Sequence, residues 1–351
     1  MRLCLRLTRH AAIRHCSLVR TPRSVAILVT SLLVGGLLVA SSGTVAATER
    51  RGHGYHSWLR GSPADVHPAT RGGAMLAGGA YDRATAWRWF LEHAGYGDIV
   101  TICATCDAVY NSYIYNLHDV DSAQTLKLTK RVATTDPFVL ETLAGADGIF
   151  FAGGDQSDYV RVWKDSPVED AINDAIARGV PIGGISAGLA IQGEFLFSAE
   201  KNTITSDRAL LNPYNNKVTL RRDMLRVPNL TETITDSHFS ERHRQGRMLT
   251  FMARTIADGW TGEVRGIGVD EATAVLLEAD GTASVVGPGA GWFLRMRDAD
   301  VVTCVDGQPL ETAAIDVVAV SRGDTFDLTT WAGTGERHTI RAADGAVVWD
   351  A

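Results

Sequence analysis

From Gly73 onward the chain repeats one unit: a short apolar run, a glycine-rich stop, then a stretch with helical spacing. Ala74-Met75-Leu76-Ala77 closes on Gly78-Gly79 and reads as a first buried strand. Asp82 is placed to cap a helix whose apolar positions Ala84, Trp87, Leu91 and Ala94 recur at helical spacing. Ile99–Cys103 is the next strand, and a weaker one follows near Thr125–Thr129. Asp136-Pro137 starts a helix with proline at its first position, and that helix stops by Gly145. Ile149-Phe150-Phe151 then runs into Ala152-Gly153-Gly154-Asp155-Gln156. A helix over Pro167–Arg178 puts Val168, Ile172 and Ile176 on one face and ends at Gly179. Val180–Ile182 reads as the end of one more short buried strand. This alternation predicts an α/β fold: a mostly parallel sheet with helices on both faces, and chemistry at the carboxyl ends of its strands.

The pattern changes after that. Residues 194–230 are irregular, broken by Asn202, Asn212-Pro213, Asn215-Asn216 and Pro228. Thr231–Thr235 reads as a strand ending in Asp236-Ser237-His238-Phe239, and a helix from about Glu241 turns Leu249, Met252, Ala253 and Ile256 inward. From Gly262 the apolar runs alternate with Asp280-Gly281, Asp306-Gly307 and Asp344-Gly345, the turns of antiparallel hairpins. The expected organisation is an α/β catalytic domain over 73–298 and a β-rich C-terminal extension over 299–351. Residues 48–72, polar and holding His53, His56 and His67, read as a flexible N-terminal extension.

The first 47 residues are set apart. Six arginines and no acid lie before Ser24, then comes the apolar run Val25–Ala40, then small residues through Ala47. That is the order of a signal peptide, with an apolar run short of the roughly 20 residues a spanning helix needs. The expected location is secreted or extracytoplasmic, membrane-anchored if the leader stays on. Without the six arginines, 28 of the 34 basic residues face 40 acidic ones, a formal charge of −12. An acidic exported chain is a poor partner for nucleic acid. Three cysteines follow the leader: Cys103-x-x-Cys106, which formally resembles a redox motif, and Cys304. In an oxidising compartment a local or Cys304-linked disulfide is expected, with one thiol left over.

Chemistry gathers at Gly183-Gly184-Ile185-Ser186-Ala187-Gly188, which carries the G-x-S-x-G spacing of a nucleophile elbow. A serine there sits on a tight strand-to-helix turn, beside a helix N-terminus that favours a developing oxyanion. It needs a base, and the base needs an orienting acid. Of the eight histidines after the leader, only His238 follows a strand end on the face of the elbow. Asp207 and Glu200, in the loop between, are the candidate acids.

Phe151-Ala152-Gly153-Gly154-Asp155-Gln156, Gly184-Ile185-Ser186-Ala187-Gly188, Asp236-x-His238-Phe239-x-x-Arg242-x-Arg244-x-x-Arg247 and Gly266-Ile267-Gly268-x-Asp270-Glu271-x-x-Ala274 come in that order. On these four blocks, over about residues 73 to 290, the chain resembles the cyanophycinase and aspartyl dipeptidase (peptidase E) family of serine peptidases. The resemblance implies a class I glutamine amidotransferase-like, flavodoxin-like core with serine in place of cysteine at the elbow. It implies Ser186 as nucleophile, His238 as base and Asp207 as the third member, with Glu200 in reserve. Backbone N–H groups of Gly154 or Asp155 and of Ala187 would form the oxyanion hole, and Gln156, Asp236, Arg242 and Arg244 fall where substrate is recognised. Glu271 reads as a structural acid. The implied substrate is an aspartyl dipeptide or a cyanophycin-like polymer, cleaved at β-Asp-Arg or Asp-X bonds without a metal or other cofactor; a homodimer is compatible. The pattern departs from the family at Asp236-Ser237, where cyanophycinases often show Asp-Gln, and in the cysteines of the 103–106 loop.

Two other classes compete. An α/β-hydrolase esterase uses the same elbow, with the late His338 as base, but no HGGG-type stretch precedes Ser186 and the Asp236–Arg247 block goes unused. An exported binding protein that kept the fold and lost activity is the non-enzymatic alternative.

Overall fold

The computed structural model describes residues 48–80 and 84–350; the leader and Asp82 lie outside the described residues. From residue 48 the chain belongs to one compact unit. Its centre is a run of five parallel strands in the order Ser122–Leu128, Asp98–Cys103, Gly148–Phe151, Ile182–Ile185, Gly73–Ala77. Their side chains alternate between two buried faces. Ala74, Leu76, Val100, Ile102 and Phe151 pack with Val139, Trp163 and Ile172 from the helices on one side. Met75, Ile99, Phe150 and Ile185 pack with Trp87, Phe90 and Ile114 on the other. The Asp136 carboxylate starts its helix as expected, accepting from Phe138 N–H at 3.0 Å, and Asp155 caps the helix Gln156–Trp163, accepting from Ser157 N–H at 2.8 Å.

Antiparallel strands extend this sheet to eleven. Ala274–Glu278 pairs with Gly73–Ala77 on one flank. On the other, a hairpin of Thr48–Gly52 and Tyr55–Gly61 pairs with Ser122–Leu128. The expected flexible extension over 48–72 is therefore corrected for its first half. Tyr55 and Ser57 alternate inward, and the neighbouring strand satisfies their backbone, which the polar composition conceals.

A second sheet has eight strands, and Val301–Thr303 pairs with Glu311–Thr312 apart from both. Phe195–Phe197, Thr233–Ser237 and Glu263–Val269 run parallel within the second sheet, and Gly291–Arg297, Ile315–Val320, Glu336–Ala343 and Ala346–Asp350 add antiparallel strands. Residues beyond 299 thus build onto both sheets, since Thr325–Asp327 joins the first. Leu196, Ile267, Phe293 and Val320 of the second sheet share a core with Val275 and Val285 of the first. The helix Gln245–Ala257 covers the outer face of the second through Met248, Leu249 and Met252.

Candidate active site

The site forms where the two sheets meet, at the turn Ala77-Gly78-Gly79. Three successive carbonyls of this turn accept backbone N–H groups from three loops: Ala77 from Ser186 at 3.0 Å, Gly78 from His238 at 2.8 Å, and Gly79 from Ala272 at 2.8 Å. One glycine-rich turn therefore fixes the spacing of three loops far apart in sequence.

Ser186 stands between the strand Ile182–Ile185 and a short helix that starts at Ala187, with φ 55° and ψ −112°. This is a conformation an L residue adopts only under constraint, at about 1–3 kcal/mol. Its flanking glycines meet that constraint by close approach. A Cβ on Gly184 would collide with the Gly188 carbonyl, and one on Gly188 with the Phe151 carbonyl. The Ser186 hydroxyl is 2.8 Å from His238 Nε2.

His238 follows the strand Thr233–Ser237 and also has a positive φ, 49°. Its Nδ1 lies 2.6 Å from Glu271 Oε1. Glu271 comes just after the strand Glu263–Val269, the parallel neighbour of the histidine's own strand, so both side chains emerge at carboxyl ends. The Glu271 N–H in turn donates to Glu241 Oε2 at 3.0 Å. Burial pushes the His238 pKa down, the hydrogen bond that Nδ1–H donates to Glu271 opposes this, and the positive charges of Arg242 and Arg244 push it further down. The net shift is downward, which keeps the imidazole neutral and able to accept a proton.

The expected acid is corrected by this geometry. Asp207 lies in the first turn of the helix Ser206–Leu211 with its carboxylate bonded to Thr205, and it does not meet His238. Glu200 accepts from Ser198 at 2.8 Å and pairs with Arg221 at 2.9 Å. The position beside Nδ1 belongs to Glu271. The signal was in the sequence: an acid directly after a strand, within the last of the four family blocks. What the sequence does not display is that this strand pairs with the one before His238.

Substrate-side residues line a cleft of about 230 Å³ that includes Ser186, Gly154, Asp155, Gln156, Ala187, Arg242 and Arg244. Ala187 is the first residue of its helix, so its N–H has no intrahelical acceptor. The Asp155 carboxylate caps its own helix, and Gln156 Nε2 donates to the Phe197 carbonyl at 3.2 Å.

Asp236 is not open to substrate. It is fully buried and held by Arg247, Nε to Oδ2 at 2.7 Å and Nη2 to Oδ1 at 2.6 Å, and by Arg244 Nη1 at 2.9 Å. Burial alone would raise its carboxyl; the two guanidiniums outweigh that and hold it below the usual range. Arg244 Nη1 also donates to the carbonyl of Ser237 at 2.8 Å and reaches its hydroxyl at 3.3 Å, so the serine that departs from the family pattern joins this network. Arg242 stays half-exposed at the rim, its Nε 3.8 Å from Glu271 Oε1. His338 packs with Trp292 and Trp349 and faces Glu336 at 3.7 Å on a far strand; Ser186 meets His238 instead. Among the described residues no group of His, Cys, Asp or Glu is placed to hold a metal, and no helix is long and apolar enough to cross a membrane.

On an α/β core, a strained serine hydrogen-bonded to an acid-oriented histidine defines a serine-type hydrolase. Comparison with known proteins narrows the class. Residues 104–285, which contain Ser186, His238 and Glu271, match the model of peptidase family S51. The chain belongs to that family and is a serine-type peptidase. It is 26% identical over 277 residues to a cyanophycinase of Trichormus variabilis, covering 74% of this chain and 87% of that protein. To a cyanophycinase of Synechococcus elongatus it is 27% identical over 278 residues, covering 75% and 81%. The solved structure of a peptidase from an acI-B1 Actinobacterium aligns with TM-score 0.49 and 15% identity over 74% of this chain and 98% of that one.

Proposed function

We propose that this chain is an exopeptidase that hydrolyses aspartyl peptide bonds, β-linked Asp-Arg first among them, through an acyl-enzyme on Ser186. His238 takes the serine proton and returns it to the leaving amine, Glu271 orients the imidazole and steadies the imidazolium, and the N–H groups of Gly154 and Ala187 receive the oxyanion. The observation that carries this is the continuous relay Ser186–His238–Glu271 opening into a cleft with Arg242 and Arg244. Arg244 and Arg247 stand at the N-terminal end of a helix, where positive charge is already unfavourable, and Asp236 neutralises only part of it. A substrate carboxylate relieves the remainder, and a guanidinium fork suits it. The cyanophycinase relatives support a polymer of this chemistry as substrate.

We further place the enzyme outside the cytoplasm. The charged, apolar and small-residue order of residues 1–47 supports export, as does the Cys103–Cys106 disulfide.

The test is a hydrolysis panel of α- and β-aspartyl dipeptides, cyanophycin and simple esters, run on wild type and Ser186→Ala. Aspartyl hydrolysis that falls by about 10⁴-fold or more in a folded Ser186→Ala variant is the expected result. Ester turnover without any aspartyl hydrolysis would return the esterase alternative.

A further inference from the structure

The turn proposed to receive the oxyanion has a neighbour that none of this chemistry uses. Cys103 ends the strand Asp98–Cys103, whose ladder with Gly148–Phe151 runs on to Ala152, the N–H of which donates to the Ile102 carbonyl at 3.1 Å. The disulfide between Cys103 and Cys106, three positions apart, closes its loop beside that turn. The intervening Thr105 is exposed, and its hydroxyl would lie 3.2 Å from a methyl placed on Gly154. The Tyr159 hydroxyl would lie 3.0 Å from the same methyl, and it donates to the carbonyls of Ala152 at 2.8 Å and Gly153 at 3.1 Å. Burial raises the Tyr159 phenol well above its ordinary value, so it remains a donor throughout the working pH range. Tyr159 thus holds the turn through two hydrogen bonds, and Thr105 of the disulfide loop lies beside Gly154. Cys103 is fully buried and Cys106 half-buried, so a thiol reaches the bond at Cys106.

We propose that the Cys103–Cys106 disulfide is a positioning device for the oxyanion turn, and that opening it lowers turnover while leaving nucleophile and base in place. The proposal rests on Gly154 acting as an oxyanion donor, as proposed above. Hydrogen-bond donors to a developing oxyanion act through fixed placement, within a few tenths of an ångström. A closed loop keeps Thr105 against Gly154; an open one gains freedom and lets the turn relax. Opening takes a two-electron thiol reductant, here the 1,4-dithiol dithiothreitol. Its thiolate attacks the Cys106 sulfur, the mixed disulfide is resolved by its second thiol, and it leaves as a cyclic disulfide. Cys103 and Cys106 each gain one hydrogen, so two electrons and two protons pass from reductant to protein.

The experiment uses the full chain and the aspartyl dipeptide it turns over fastest. kcat and KM are measured before and after dithiothreitol, with alkylation and mass analysis proving that Cys103 and Cys106 are open, and again after reoxidation with oxidised glutathione. We expect kcat to fall about tenfold, less than the roughly 10²–10³ of a whole missing donor, with KM within about twofold and recovery on reoxidation. A Cys103→Ser/Cys106→Ser variant should sit at the reduced level and ignore dithiothreitol, and Thr105→Gly should lose part of kcat with the disulfide intact. Unchanged kcat on proven reduction overturns the proposal, as does a loss matched by the fraction unfolded at assay temperature. Oxidised enzyme that hydrolyses no peptide and is not labelled at Ser186 by a fluorophosphonate overturns the catalytic assignment, and the clamp with it.

Discussion

The two halves of the site are built by different forces. Around Ser186 the determinants are steric: a positive φ, two glycines pressed against carbonyls, and a turn with no charged contact to the serine. Around His238 they are electrostatic: Glu271 on the imidazole, Arg242 beside Glu271, and a buried carboxylate gripped by Arg244 and Arg247 under the adjoining loop. Gly79 belongs to both, because a Cβ there, at φ 117°, would overlap the imidazole that reaches Ser186. The nucleophile half should therefore tolerate changes in charge and pH but no added atoms. The base half should tolerate small changes in size but not in charge.

The most damaging way to probe the second half is to neutralise its acid at constant shape. Glu271→Gln keeps a hydrogen-bonding group against Nδ1 but removes the charge that steadies the imidazolium, and it permits the wrong tautomer. kcat should fall on the order of 10³–10⁴-fold with little change in Tm. Asp207→Asn and Glu200→Gln, whose carboxylates serve Thr205 and Arg221, should leave kcat within about twofold. Steady-state kinetics on the three variants decides; a crippled Asp207→Asn with a healthy Glu271→Gln would reverse the assignment.

A second substitution asks whether charge also holds the half together. Asp236→Asn removes the carboxylate from two buried guanidiniums, and breaking such a pair costs about 3–5 kcal/mol. Chemical denaturation should show that loss, with activity falling as the loop before Arg244 relaxes. The pH dependence gives a further check. Asp236 is depressed in the folded state, so its contribution is present above its unfolded pKa and fades as pH falls through the folded value. Asp236→Asn should flatten that part of the acid limb of stability; an unaltered limb would make the network incidental.

The same contrast explains what the sequence could disclose. Steric determinants are local, so the elbow and the glycine turns stand out as contiguous patterns, and the parallel strands and their covering helices follow from periodicity. Electrostatic partners are assembled by strand pairing. Glu271 reaches His238 because Glu263–Val269 lies parallel to Thr233–Ser237 in a second sheet, and nothing in the spacing from 238 to 271 reports that. Asp207 satisfies the linear order Ser, acid, His, yet it sits on a short helix whose direction carries its carboxylate to Thr205. Asp236 was legible as important but not as already paired, since Arg247 meets it only once a strand and a helix pack together. The N-terminal hairpin was hidden for a similar reason: its strands are polar at alternate positions and are completed by Ser122–Leu128.

The smallest expected effect separates charge from recognition at Arg242. Its side chain is 54% exposed and its Nε is 3.8 Å from Glu271, close enough to disfavour a proton on His238 and open enough to meet substrate. Arg242→Gln removes the positive charge, so the imidazolium is less disfavoured and the His238 pKa rises. Because the base must be unprotonated, the acid limb of kcat/KM should move to higher pH. Arg242→Lys keeps the charge and should leave the limb where it is, but it loses the planar fork and should raise KM for aspartyl dipeptides by roughly tenfold or less. A neutral asparaginyl analogue should show a smaller change in KM. The shift in Arg242→Gln should shrink at 1 M salt, where the screening length is about 3 Å and the exposed charge is no longer felt. pH profiles of wild type and both variants at low and high salt provide the measurement. If the limb of Arg242→Gln coincides with wild type at low salt, Arg242 has no hold on the base; if Arg242→Lys weakens both analogues equally, its guanidinium is structural rather than selective.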